Sequence, residues 1–140
     1  MITVLFLCTG NASRSQMAEG LVNHDFAGRV ATYSAGINPK GVSRLAVIVM
    51  AEIGIDISHH TSDPLQRFQG QTFDYVITLC ADADTLCPQH FGGGQRLHLG
   101  FADTPHTDRP TAENLEIYRQ TRDAIRDRLR IFFEAKLAAG

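Results

Sequence analysis

Ile2-Thr3-Val4-Leu5-Phe6-Leu7 runs directly into Cys8-Thr9-Gly10-Asn11-Ala12-Ser13-Arg14-Ser15, and this junction decides how the chain is read. The first six residues are almost wholly apolar, the pattern of a strand buried on both faces. From residue 15 to residue 26, Met17, Leu21 and Val22 recur at helical spacing. Between strand and helix lies a short loop, and the N–H groups of such a loop at a helix N-terminus favour an oxyanion. Arg14 adds a planar fork for two oxygens of a tetrahedral anion. The same field favours a thiolate at Cys8, to which Ser15 can donate a hydrogen bond. Gly10 and Asn11 tolerate the left-handed backbone a cradle needs. Thr9, Gly10, Asn11, Ala12, Ser13 and Arg14 are therefore the candidate anion-binding residues. The loop differs from a nucleotide P-loop, which ends Gly-Lys-Ser/Thr. The bland alternative is a buried cysteine at a strand end and an ordinary turn.

Outward from this junction, strands and helices alternate. Residues 30–34 read as a second strand ended by Ala35-Gly36. Residues 42–53 read as a helix with Leu45, Ile48, Val49 and Ile53 on one face, stopped by Gly54. Residues 73–79 form a third apolar run and residues 96–99 a shorter fourth. Residues 113–136 carry a helical stripe of Leu115, Tyr118, Arg122, Ile125, Leu129 and Phe132, in which only Arg122 is charged. This order predicts one α/β domain over residues 1–140: a four-stranded parallel sheet flanked by helices on both faces. In such sheets the ligand site lies beyond the carboxyl ends of the strands. That rule points past Leu7 and past Leu79, and both next residues, Cys8 and Cys80, are cysteines.

Composition narrows the class. In 140 residues, 13 basic and 15 acidic side chains leave a net charge of −2, so no basic field is present to hold nucleic acid. No apolar run approaches the roughly 20 residues a membrane span needs. The opening stretch lacks the basic lead and cleavage site of a signal peptide. Three cysteines, Cys8, Cys80 and Cys87, are an odd number and do not suggest a disulfide framework. A cytoplasmic monomer is the expectation. Cys80, Cys87 and His90 lack a fourth ligand at zinc-site spacing. Alone, Cys80 and Cys87 would read as two unrelated thiols.

The run Cys8-Thr9-Gly10-Asn11-Ala12-Ser13-Arg14-Ser15-Gln16-Met17-Ala18-Glu19 resembles the signature of the low-molecular-weight tyrosine phosphatase superfamily. More narrowly, it is similar to the thioredoxin-coupled arsenate reductases. Tyr33-Ser34-Ala35-Gly36, Gly54-Ile55-Asp56-Ile57-Ser58, His60-Thr61-Ser62-Asp63 and Val76-Ile77-Thr78-Leu79-Cys80 extend the likeness along nearly the whole chain. The loop carries the superfamily; the Cys80/Cys87 pair selects the reductase branch. The resemblance implies a low-molecular-weight phosphatase-like fold and the reduction of arsenate to arsenite. It implies a Cys8–arsenate adduct, a Cys8–Cys80 disulfide, then a Cys80–Cys87 disulfide reduced by thioredoxin. Glutaredoxin or another thiol is the alternative donor, and phosphate or sulfate would compete for the loop. In this scheme Arg14 and Ser15 assist Cys8.

Asp103 follows the fourth strand and corresponds to the family's general acid. The family's Asp-Pro is here Asp103-Thr104-Pro105, so the proline is displaced by one residue. Superfamily tyrosine phosphatases follow this Asp with aromatic residues; Thr104-Pro105-His106 offers only His106, which favours a small inorganic substrate. No cofactor is required. Asn11, Glu19, Ser34, Thr61 and Asp63 match positions that bind potassium in some arsenate reductases, and oxygen donors suit a hard cation. A plain hydrogen-bond network is the alternative. Ser13 stands where many relatives carry another cysteine. The reading carries a geometric demand: if residues 81–87 are helical, Cys87 starts badly placed for Cys80, and the segment must loosen during turnover. Gly92-Gly93-Gly94 is a candidate source of slack. The competing functions are a tyrosine phosphatase whose spare thiols protect Cys8, and an oxyanion sensor without turnover.

Overall fold

The computed structural model describes residues 1–139. Its elements are β1 (Ile2–Cys8), α1 (Arg14–Asp25), β2 (Val30–Gly36), α2 (Arg44–Ala51), a 3-10 turn (Leu65–Phe68), β3 (Tyr75–Thr78), α3 (Ala81–Leu86), β4 (Gln95–His98) and α4 (Ala112–Ala139). The strands lie in the order β2-β1-β3-β4, and every neighbouring pair is parallel. β1 is central, which explains its continuous apolar run: Val4 and Phe6 pack on one face of the sheet, Leu5 and Leu7 on the other, all fully buried.

The two faces are covered unequally. On one, Val4, Phe6, Ile77 and Leu79 meet Met17 and Leu21 of α1, Leu45 and Val49 of α2, and Ile125, Leu129 and Phe133 of α4. On the other, Leu5, Leu7 and Val76 are covered by Phe68, Phe73 and the short α3, whose one buried helical residue is Ala83. All three cysteines sit on this thinly covered face.

β3 is shorter than the apolar run from 73 to 79 suggests. Phe73 leaves the ladder and donates its N–H to Gly92 O (2.8 Å). The glycine triplet has a geometric reason beyond slack. Gly92 and Gly93 hold φ near +80° and +68°, and a Cβ on Gly94 would fall 1.8 Å from Phe73 O. Arg122, the charged member of the α4 stripe, is buried because it serves α2. It donates to Val49 O (2.8 Å), a carbonyl of the last helical turn, and to Glu52 Oε1 (3.1 Å).

The end of α1 is tied to α4 by Asp25, which takes both arms of Arg126 at 2.9 and 2.7 Å and Arg130 at 3.2 Å. Burial alone would raise the carboxyl, but Arg126, His24 and Arg130 more than reverse that and hold it at about 2. The folded value lies below the ordinary 3.8. Its contribution is therefore complete above about pH 4 and is lost as pH falls through about 2. Asp25→Asn is expected to cost about 2 kcal/mol at neutral pH and to flatten stability across that acid window. Urea melts at stepped pH check both. No helix among the described residues is long and apolar enough to cross a membrane.

Candidate active site

The loop from Cys8 to Ser13 is built from behind. Its carbonyls accept from Ile37 N (Cys8 O, 3.3 Å), Asn38 N (Thr9 O, 2.8 Å), Lys40 N (Gly10 O, 2.9 Å), Gln16 Nε2 (Asn11 O, 2.9 Å), Ser43 N (Ala12 O, 2.9 Å) and Met17 N (Ser13 O, 2.9 Å). A peptide held by its carbonyl turns its N–H the other way, the arrangement an anion-binding loop needs. Asn11 takes the left-handed turn, with φ of 44°. Gly36 at the end of β2 allows the close packing, since a Cβ there would fall 2.7 Å from Asn11 N. The cleft in front encloses about 540 Å³, with Cys8, Arg14 and Asp103 on its wall.

Asn11 and Ser15, both fully buried, aim a proton at Cys8 Sγ. Asn11 Nδ2 donates to Ser15 Oγ (2.8 Å), and Ser15 Oγ lies 2.9 Å from Cys8 Sγ. With Asn11 donating to the hydroxyl, the serine proton is free to point at sulfur. Asn11 Oδ1 in turn accepts from Asp63 N (2.8 Å), which fixes the amide's orientation.

Arg14 and the loop after β4 meet across the cleft. The Arg14 guanidinium donates to Phe101 O (3.0 Å) and to Asp103 Oδ1 (3.2 Å), and His106 Nε2 lies 2.7 Å from Asp103 Oδ2. Partial burial pushes the Asp103 carboxyl up, but His106 and Arg14 outweigh it and leave the group below its ordinary value. The displaced proline thus still leaves Asp103 facing Arg14. Pro105 O accepts from the Tyr118 hydroxyl (3.2 Å), which also lies 2.9 Å from Ser13 Oγ and accepts from Ser43 Oγ (3.1 Å). One buried hydroxyl on α4 therefore ties the loop, the start of α2 and the Asp103 segment together. Sequence reading placed Tyr118 in the core stripe only. The missed signal was that a buried tyrosine hydroxyl needs polar partners.

The second and third cysteines lie beside this loop. Cys80 ends the run after β3 as the N-cap of α3, and its Sγ is 3.2 Å from Thr9 Oγ1. Cys87 is the C-cap of the same helix. All three thiols are free, at 3, 7 and 3 % exposure for Cys8, Cys80 and Cys87, and they share one apolar cluster. Burial pushes the Cys87 thiol up, against the opposing charge of Arg96.

Glu19, Ser34, Thr61 and Asp63 line a smaller pocket of about 250 Å³, with Asn11 bonded to Asp63 N. Ser34 Oγ donates to Glu19 Oε1 (2.8 Å), and Thr61 Oγ1 donates to Asp63 Oδ2 (2.8 Å). Burial, with the charge of Asp63, raises Glu19 despite Ser34. His60 lies 3.7 Å from Glu19 Oε1, but burial and His59 lower it, so it is a poor counter-charge at neutral pH. The donor set is oxygen-rich, which suits a hard cation, but Arg67 lines the same pocket and its Nη1 already pairs with Asp63 Oδ2 at 2.9 Å.

Comparison with known proteins places this arrangement. The family model described as low molecular weight phosphotyrosine protein phosphatase matches residues 3–139. An arsenate reductase of Halalkalibacterium halodurans is 42% identical over 131 residues, 94% of each chain. A solved structure described as an arsenate reductase in the phosphate binding state superposes with a TM-score of 0.82. It is 32% identical and covers 96% of this chain and 98% of its own. A thioredoxin-dependent arsenate reductase of Corynebacterium glutamicum has a TM-score of 0.77 at 26% identity. That match covers all of this chain and 64% of the other.

Proposed function

The chain belongs to the low molecular weight phosphotyrosine protein phosphatase family, and from that premise we propose that it is an arsenate reductase working through a three-thiol relay. The observation that carries the reading is the gathering of Cys8, Cys80 and Cys87 in one cluster, with Cys80 Sγ at 3.2 Å from the hydroxyl of Thr9 in the anion loop. A phosphatase needs only the first of these thiols.

Arsenate enters the cradle and engages Arg14, which is drawn from Asp103. Losing that cation and gaining an anionic neighbour push Asp103 upward against its remaining contact with His106, toward holding a proton for the leaving oxygen. The Cys8 thiolate attacks arsenic, and water departs. The Cys80 thiolate then attacks Cys8 Sγ. The sulfur–arsenic electron pair stays on arsenic, which leaves as arsenite, and the two sulfurs join as a disulfide. Cys87 attacks Cys80 Sγ and releases Cys8 as thiolate. A dithiol donor reduces Cys80–Cys87. Thioredoxin is the proposed donor, on the precedent of the Corynebacterium relative. Buried free thiols in such a cycle suit a reducing compartment such as the cytoplasm.

The test is NADPH oxidation with thioredoxin, thioredoxin reductase and arsenate. Sustained arsenate-dependent oxidation supports the reading. Hydrolysis of phosphotyrosine without arsenate reduction would favour the phosphatase. Asn11, Glu19, Ser34, Thr61 and Asp63 are the proposed potassium donors. The cation would balance Glu19, beside the Arg67 guanidinium that already pairs with Asp63, and stiffen the turn at Asn11. Exchanging sodium for potassium at constant ionic strength is expected to tighten phosphate binding and raise thermal stability in the wild type. Glu19→Gln is expected to lose both responses.

A further inference from the structure

The relay requires Cys87 to leave its place, yet the structure holds the segment around it from the sheet edge. At its middle, Thr78 Oγ1 at the end of β3 donates to Asp84 Oδ1 (3.0 Å). At its far end the grip comes from Arg96 in β4. Arg96 Nη1 donates to Cys87 O (3.1 Å) and Pro88 O (2.8 Å), and Nη2 donates to Asp84 O. A helix end leaves its last carbonyls without partners, and a basic side chain in the last turn commonly supplies them. α3 has no basic residue there. The donor comes instead from the next strand, where register with β3 (Val76 opposite Arg96) keeps it fixed. The side chain is largely covered, at 16% exposure, and its bonds to Cys87 O and Asp84 O are part-buried while the one to Pro88 O is exposed. Cys87 beneath them is packed with Val76, Ala83 and Cys80, where burial keeps the thiol protonated.

We propose that Arg96 is the positioning residue of the relay: its guanidinium latches the Asp84–Pro88 carbonyls and keeps Cys87 out of exchange until the segment is released. The proposal rests on the three-thiol reading above. Forming Cys8–Cys80 pulls Cys80, the N-cap of α3, toward the loop and strains the helix from its other end. Release breaks the three Arg96 bonds and exposes Cys87, which gives its proton to solvent. The Cys87 thiolate then attacks Cys80 Sγ, the Cys8–Cys80 bond breaks, and Cys8 leaves as thiolate with no net change in oxidation state. The latch prevents Cys87 from competing early, when a free Cys80 must still attack Cys8.

The test isolates Cys87 in the full-length reduced protein carrying Cys8→Ser and Cys80→Ser. Alkylation by iodoacetamide then reads opening of the segment alone. Adding Arg96→Leu is expected to speed alkylation by about tenfold or more, and Arg96→Lys, which keeps charge but loses the fork, by less. Urea melts of the same proteins give the globally unfolded fraction. Acceleration beyond the rise in that fraction supports the latch. Acceleration equal to it, or a rate unchanged within about twofold, overturns the proposal. If Arg96→Leu does not fold, Arg96→Lys decides by the same comparison. Absence of a Cys80–Cys87 disulfide in wild-type protein after arsenate would sink the relay itself, while the alkylation comparison would still show whether Arg96 restrains Cys87.

Discussion

A protein with serine in place of Cys87 is expected to reduce about one equivalent of arsenate and then stop. In the proposed relay Cys8 and Cys80 are sufficient for the first pass, since one would form the adduct and the other attack the adduct's sulfur. Their disulfide then has no internal thiol to resolve it. Reduced Cys8 and Cys80 share a buried cluster with Leu5, Leu7, Phe73 and Val76, so their disulfide is expected to be poorly open to an external dithiol. The sustained rate with thioredoxin should fall by at least about a hundredfold, while arsenite formed in the first turnover stays near one per protein. The substitution puts a hydroxyl into a largely buried site and should cost about 1–2 kcal/mol of stability, too little to unfold the chain. Peptide mapping should find Cys8 joined to Cys80. Continued turnover by this variant would remove Cys87 from the reaction.

Arg14→Lys is expected to slow the first turnover by roughly 100- to 1000-fold at saturating arsenate, equivalent to about 2.7–4 kcal/mol of transition-state stabilisation. The resting guanidinium already uses two nitrogens at once, on Phe101 O and Asp103 Oδ1, and it is only 12% exposed. A lysine offers a point charge with no fork. It can attract the anion but cannot orient two of its oxygens while facing the Asp103 loop. The loss should therefore appear more in the rate of arsenite release than in competition by phosphate. A variant that loses phosphate affinity in full proportion to its rate would show that Arg14 acts in ground-state binding alone. Rapid-quench measurement of arsenite, beside phosphate inhibition of the same protein, separates the cases.

The parts of this molecule legible from sequence are those whose signal is local. The apolar run of β1, the Cys8–Ser15 loop and the α4 stripe each lie within a short span, and the order of elements implied a parallel sheet with its candidate site after Leu7 and Leu79. Asp103 was placed by its position after β4, and it does face Arg14 despite the displaced proline. What escaped the reading depends on distant partners. Tyr118 looks like any core aromatic until Ser13, Ser43 and Pro105 converge on its hydroxyl. Arg96 lies in a short strand with no motif, and its grip on Cys87 O and Pro88 O appears only when β4 aligns beside β3. The glycine triplet suggested slack, and the positive φ at Gly92 and Gly93 and the backbone contact at Gly94 are a separate requirement that the sequence did not reveal. The unequal cover of the two sheet faces was equally invisible, because periodicity tells which side of a helix is apolar and not which face of the sheet receives it.

The most direct test of the relay needs no variant and no external donor. Fully reduced protein is mixed with one equivalent of arsenate, quenched with acid, alkylated and mapped by mass spectrometry, with arsenite measured in the same sample. The relay predicts about one arsenite per protein, a Cys80–Cys87 disulfide and an alkylated Cys8. Arsenite formed with Cys80 and Cys87 both still alkylatable, or arsenate bound with no thiol oxidised, would contradict it.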